Sequence, residues 1–211
     1  MKGMCFIEPL FEKVVKSEKT QTRRMITPEP IIKDDWFIKE IEGWGKAPFG
    51  VVSKYPDCEP ERFEIMQLLK PKYQVGEIVY LKEPYVDDLI MEKTLYKYSK
   101  SDLQELISNG YGDMVDSKGF WKNKLFMPES AARYFIEITA VRAEKLQDIS
   151  EEDCLKEGIE LYNNYDGTYG GHSAPTAPKE AYAALINSIY GKSTWEKNPF
   201  VWVYEFRLIQ G

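Results

Sequence analysis

The residues able to do chemistry in this sequence are few and unevenly placed. His172 is the only histidine among 211 residues, so a Ser-His-Asp or Cys-His engine has one place to form. Cys5, Cys58 and Cys154 are odd in number, far apart and without CxxC spacing. They support neither a disulfide framework nor a cysteine zinc site, and no metal or other cofactor is expected. Charge, by contrast, is segregated. Residues 1–24 carry Lys2, Lys13, Lys16, Lys19, Arg23 and Arg24 against three glutamates, whereas residues 144–167 carry eight acids against Lys145 and Lys156. Two solvated faces explain most of these. Two positions ask for more. Glu157 falls in the last turn of its helix, where a carboxylate meets the negative end of the dipole at a cost of about 0.3 to 1 kcal/mol unless a cation lies near. Lys19 lies just past the end of the first helix, where complementing that helix's C-terminus is its simplest role.

The elements that must position these residues are short. Pro9 to Ser17 has helical spacing, with Pro9 suited to a first helical position. Lys19 to Ile26 reads as extended and ends before Pro28. In a strict strand, Thr20, Thr22 and Arg24 share one face, and Lys19, Gln21 and Arg23 the other. Lys19 and Thr22 then meet only if the helix-to-strand corner breaks the alternation. Proline-dense residues 27–75 read as a loop-rich insertion with a possible strand at Phe49 to Ser53. Val75 to Pro84 predicts a turn and a central strand, ending at Glu83, a cleft residue or a surface charge. Thr94 to Tyr98 predicts a weaker strand, Asp102 to Ser108 a short helix, and Arg133 to Leu146 one long strand.

Ser150-Glu151-Glu152-Asp153 has the form of a capping box, and Gly158 is placed to stop that two-turn helix. Asn163 to Pro178 reads as a mobile loop, either a lid offering Tyr162, Tyr165 or Tyr169 as a stacking face or an idle insertion. Its Gly167 to Gly171 run with His172 lacks phosphate-loop or dinucleotide spacing. A helix from Pro178 to about Tyr190 follows, and Phe200 to Leu208 closes the chain as an apolar strand. Trp195, Trp202, Tyr204 and Phe206 read as core rather than as a base platform. Strands spread along the chain with short helices between them predict an α+β fold, a small mixed barrel rather than a doubly wound sheet, in one domain.

Lys and Arg total 28 and Asp and Glu 34, a net charge of −6. That argues against broad coating of nucleic acid or of an anionic membrane. No signal peptide or membrane span is visible, so a cytoplasmic protein is expected.

Five blocks in order carry a resemblance: Lys19-Thr20-Gln21-Thr22-Arg23-Arg24; Val75 to Tyr85; Met127-Pro128 with Arg133; Ile149 to Asp153 running to Glu157-Gly158-Ile159; and Trp195 to Val203. Together they resemble the ASCH family of the PUA-like superfamily, especially its prophage-borne members. The resemblance implies a small β-barrel with short helices packed around it, and a cleft that binds RNA or a modified nucleoside. Against the family's pattern this sequence departs in carrying long insertions at about 27–75 and 87–125. Within the family, the bacterial N4-acetylcytidine amidohydrolases are similar in a Lys-Thr-x-Thr block, and their catalytic Lys, Thr and Glu match Lys19, Thr22 and Glu157. This sequence departs in having Arg23-Arg24 after the threonine.

Two activities and one non-activity are therefore open. In the first, Lys19, Arg23, Arg24 and Arg133 grip a phosphate while Trp and Tyr rings stack on a base, with Thr20 and Glu83 also in the site, so that a nucleotide-like ligand or a short RNA is bound without turnover. In the second, Thr22 supplies a hydroxyl or orients a water, Lys19 serves as base or steadies the oxyanion, and Glu157 protonates the departing amine of an N4-acylated cytidine-like substrate. The third is a phage structural or assembly protein.

Overall fold

The computed structural model describes residues 1–41, 49–54, 62–88, 92–160 and 177–209. In chain order its elements are β1 (Lys2–Cys5), α1 (Glu8–Val15), β2 (Gln21–Met25), β3 (Trp36–Glu40), β4 (Phe49–Lys54), β5 (Phe63–Leu69), β6 (Ile78–Lys82), β7 (Tyr85–Asp88) and β8 (Lys93–Tyr96). There follow α2 (Lys100–Leu106), β9 (Phe135–Lys145), α3 (Glu151–Lys156), α4 (Pro178–Tyr190), α5 (Thr194–Lys197) and β10 (Phe200–Ile209). The fold is mixed α+β, as the sequence predicts. The chain divides into two compact units, Met1–Glu18 with Gly76–Glu137 and Arg207–Gly211, and Lys19–Val75 with Ile138–Phe206. Each unit is assembled from segments far apart in sequence, so no shift of composition marks a boundary.

In the first unit β6 is central, parallel to β1 with Met4 opposite Leu81, and antiparallel to β9 with Val79 opposite Ile136. Val79, Tyr80 and Leu81 are all buried, and the Tyr80 hydroxyl donates to the Met127 carbonyl at 3.0 Å. Helix α1 has proline in its first turn and buries Phe11 and Val14, the apolar positions three residues apart. Residues 87–125, expected as an insertion, build a small core of their own. The β7–β8 hairpin and α2 enclose Leu95, Leu106 and Val115, with Trp121 donating to the Val115 carbonyl at 2.7 Å.

In the second unit the hydrogen-bonded order is β9-β10-β2. Val203 lies opposite Arg23, Tyr204 opposite Thr22 and Glu205 opposite Gln21. Residues directly opposite in an antiparallel pair project to the same side, so the register sorts this sheet into two faces. Val201 and Val203 pack with Leu146, Cys154, Tyr182 and Ile186, joining α3 and α4 to one face. Trp202 and Tyr204 on the other face meet Phe49 and Tyr73 edge-on, at 5.0 and 5.3 Å between ring centroids. The expectation of a loop-rich segment over 27–75 is corrected here, because it contains the antiparallel sheet β3-β4-β5. In β5, exposed Met66 and Leu68 alternate with the more buried Phe63, Ile65 and Leu69, which hides the period of two that marks a half-buried strand.

Candidate functional site

Helix α3 sets the site. The Ser150 hydroxyl accepts from the Asp153 N–H at 3.0 Å, and three acids occupy the first turn, where the helix dipole favours them. At the other end Gly158 adopts φ 85°; its N–H donates to the Leu155 carbonyl and that of Ile159 to the Cys154 carbonyl. This Schellman turn makes Glu157 the C-cap of α3, directly after Lys156 and at the end of the helix where the sequence reading puts it.

The cation that position asks for is Lys19. Its Nζ donates to Glu157 Oε2 at 2.6 Å and to the Glu157 main-chain carbonyl at 2.7 Å. Lys19 therefore caps the C-terminal end of α3. The backbone holds it there: the Thr20 N–H donates to the Lys156 carbonyl, and the Thr20 carbonyl accepts from the Phe206 N–H, both at 2.9 Å. The two side chains are 1% and 5% exposed. Burial pulls the Lys19 ammonium below its ordinary pKa of 10.5, against the opposing pull of Glu157.

Arg23 approaches Glu157 from β2. Its Nη1 donates to Glu157 Oε1 at 3.2 Å and to Gln21 Oε1 at 2.6 Å, its Nη2 to Glu144 Oε1 at 2.6 Å and Asp153 Oδ2 at 2.9 Å, and its Nε to Glu144 Oε1 at 3.0 Å. All five guanidinium N–H groups are thus taken by protein acceptors. Arg142 extends the network, reaching Glu144 at 2.9 Å, Glu205 at 2.7 Å and Asp153 at 2.6 Å. Three cations face four carboxylates, so the cluster is close to neutral by itself. Burial raises the Asp153 carboxyl, but Arg23 and Arg142 more than offset it and hold it below its usual 3.8.

The predicted residues are thus sorted by face. Lys19, Arg23 and Glu157 come together with Gln21. Thr22 and Arg24 share the opposite side of β2 with Tyr204 and Trp202, by register and alternation. Thr22 is buried, while Thr20 and Arg24 are partly exposed. In the first unit, Arg133 grips Glu83 with both prongs, Nε to Oε1 at 3.0 Å and Nη2 to Oε2 at 2.7 Å. The Arg133 guanidinium also lies 4.1 Å from the Tyr96 ring centre and 5.0 Å from that of Tyr134. Glu83 is fully buried, so burial raises its carboxyl pKa while Arg133 opposes the rise.

Arg142, Glu144, Asp153 and Tyr182 are the residues that sequence reasoning left out of the site. A signal for the first two was present: Arg142 and Glu144, like Gln21 and Arg23, are polar residues two apart within strands, hence on one face. Tyr182 from α4 is 1% exposed, its ring lies 6.0 Å from the Arg23 guanidinium carbon, and its hydroxyl has no hydrogen-bond partner among the described residues. Among the described residues no group of three or more His, Cys, Asp and Glu is arranged to hold a metal ion. The expected lid with Tyr162, Tyr165 and Tyr169, its Gly167 to Gly171 run and His172 lie outside the described residues, as does Cys58. No protein-family model, curated protein or solved structure matches this chain.

Proposed function

We propose that the chain is a PUA-like ASCH protein, built on a small β-barrel, that binds RNA or a modified nucleoside at the Lys19–Arg24 block. It takes this ligand through the base rather than through its phosphates. The observation that carries this reading is the Lys19–Glu157 pair: an ammonium and a carboxylate, 138 residues apart in sequence, joined at 2.6 Å beneath the surface. Such a pair sets a donor beside an acceptor, which complements a nucleobase edge offering one of each. Phosphate gripping is the weaker half of the reading, because Arg23 spends every donor on protein acceptors, four of its five bonds going to carboxylates and one to the Gln21 amide oxygen.

The test is a titration of fluorescently labelled single-stranded RNA and of free nucleosides at two salt concentrations. Base-directed binding changes little with salt, whereas phosphate contacts lose affinity steeply. Loss of binding in Lys19→Ala/Arg24→Ala, with retention in Lys70→Ala/Lys72→Ala, supports the reading. No binding, or equal loss in both variants, overturns it.

A second reading, hydrolysis of an N4-acylated cytidine-like substrate, is favoured by one observation, the depressed Lys19 ammonium beside a carboxylate. A lysine nearer neutrality can accept a proton from an attacking water, and Glu157 can pass one to the departing exocyclic amine as the C–N bond breaks. Thr22 has the least support in this scheme, since the strand register directs it to the face of Tyr204. Cytidine released from N4-acetylcytidine at the wild-type rate by Glu157→Gln would remove that glutamate from the chemistry.

A further inference from the structure

A separate cavity of about 230 Å³ lies wholly within the first unit. Phe11 of α1, Tyr98 and Tyr134 form its walls. Phe11 is 2% exposed and holds both tyrosines, with ring centroids 5.1 Å from Tyr98 at 59° and 5.9 Å from Tyr134 at 74°. Each tyrosine is fixed a second time. Arg133 stacks on Tyr134 at 5.0 Å and is itself clamped by buried Glu83. Lys124, anchored on the Phe6 carbonyl at 2.6 Å, approaches the Tyr98 ring at 5.8 Å. The walls are therefore rigid before anything enters, which lowers the ordering cost of binding.

The cavity's charged groups are Lys16, Lys100 and Glu12. Glu12 is shared with Lys16 at 3.9 Å, one turn apart on the helix. Lys100 is exposed and makes no side-chain hydrogen bond or ion pair among the described residues. Positive charge thus exceeds negative among the lining residues, although Glu8 and Glu83 also act on Tyr98 and the chain as a whole carries −6. Burial raises the Tyr98 phenol to about 12, so it adds no opposing charge at ordinary pH. Aromatic walls with a cationic surplus suit one class of ligand: a flat ring is held by offset or edge-to-face contact, and an anionic substituent meets the lysines.

We propose that this cavity is a binding site for a small planar aromatic molecule bearing one anionic group, its ring against Phe11, Tyr98 and Tyr134 and its anion at Lys16 and Lys100. The anion can be a carboxylate or a phosphate ester. The site is independent of the Lys19–Glu157 pair and of the function proposed for it.

Calorimetric titration of the full chain tests this with three probes: 2-naphthoate, cytidine 5′-monophosphate and the neutral 2-naphthalenemethanol. The first two separate a carboxylate from a phosphate ester. At least one anion should bind more tightly than the neutral alcohol. Its affinity should fall about fivefold or more in Lys16→Glu/Lys100→Glu, the scale of losing exposed ion pairs and adding repulsion. Both lysines are exposed, so the variant keeps the fold, which circular dichroism verifies. Loss of anion binding with retention of the alcohol supports the proposal. Equal binding of alcohol and anion, insensitivity to the charge reversal, or no anion binding up to roughly 5 mM overturns it.

Discussion

Lys19 closes the C-terminal end of α3 by donating to both the carboxylate and the main-chain carbonyl of Glu157, at 2.6 and 2.7 Å. One side chain thereby satisfies a helix end and neutralises the acid that ends it. The two losses are unequal, because Glu157 keeps Arg23 at 3.2 Å when Lys19 is removed. Glu157→Leu, which takes the carboxylate from the buried Lys19 ammonium, should cost about 3 to 5 kcal/mol in urea unfolding, and Lys19→Met less. The double variant should recover part of that loss, giving a coupling energy well above the ~0.5 kcal/mol error of additivity. Additive losses would show the two groups to be energetically separate.

The same pair gives an alkaline signature. Lys19 has a folded pKa below its unfolded value of 10.5, so between the two values the folded chain binds fewer protons than the unfolded chain. Its contribution to stability therefore rises as pH climbs through the folded pKa and levels off above 10.5. Relative to Lys19→Met, the wild-type chain should gain stability across that window. A flat difference would contradict the effect of burial on the ammonium.

Asp153 gives the opposite limb. Its folded pKa is held below 3.8 by Arg23 and Arg142, so its contribution is present above 3.8 and lost as pH falls through the folded value. Asp153→Asn should cost about 1 to 3 kcal/mol at neutral pH and flatten the acid limb of the unfolding profile. An unchanged acid limb would remove Asp153 from the network's energetics.

Much of this frame can be read from the sequence. Ser150, the acids after it and Gly158 announce α3, and the position of Glu157 at its end demands a cation. Pro178 begins α4, and the apolar run from Phe200 marks β10, both as found. What hides the rest is sequence distance. Nothing local indicates that Arg142 of β9 shares acceptors with Arg23 of β2, since their meeting depends on strand pairing. In the same way β3 escapes notice among prolines, because its pairing partner supplies its order. The alternation that separates Thr22 from Arg23 can be stated from sequence, but only the register with Tyr204 and Val203 says what each face meets.

Cys154 is fully buried, and burial raises its thiol to about 11. Thiolate is the reactive form, so Cys154 should resist iodoacetamide in the native chain at neutral pH and react once the chain is unfolded. Mass spectrometry of the alkylated peptides checks this, and rapid native labelling at Cys154 would show that α3 opens readily.

The proposal that Lys19 and Glu157 meet the base of a nucleoside is tested by calorimetric titration of N4-acetylcytidine into the wild-type chain and into Glu157→Gln. The substitution keeps an acceptor for Arg23 while removing the charge that faces Lys19. Binding by wild type that changes little between low and high salt, and falls at least tenfold in the variant, is the predicted result, a tenfold loss being about 1.4 kcal/mol. Absence of binding to wild type, or equal affinity in a folded Glu157→Gln, would contradict it.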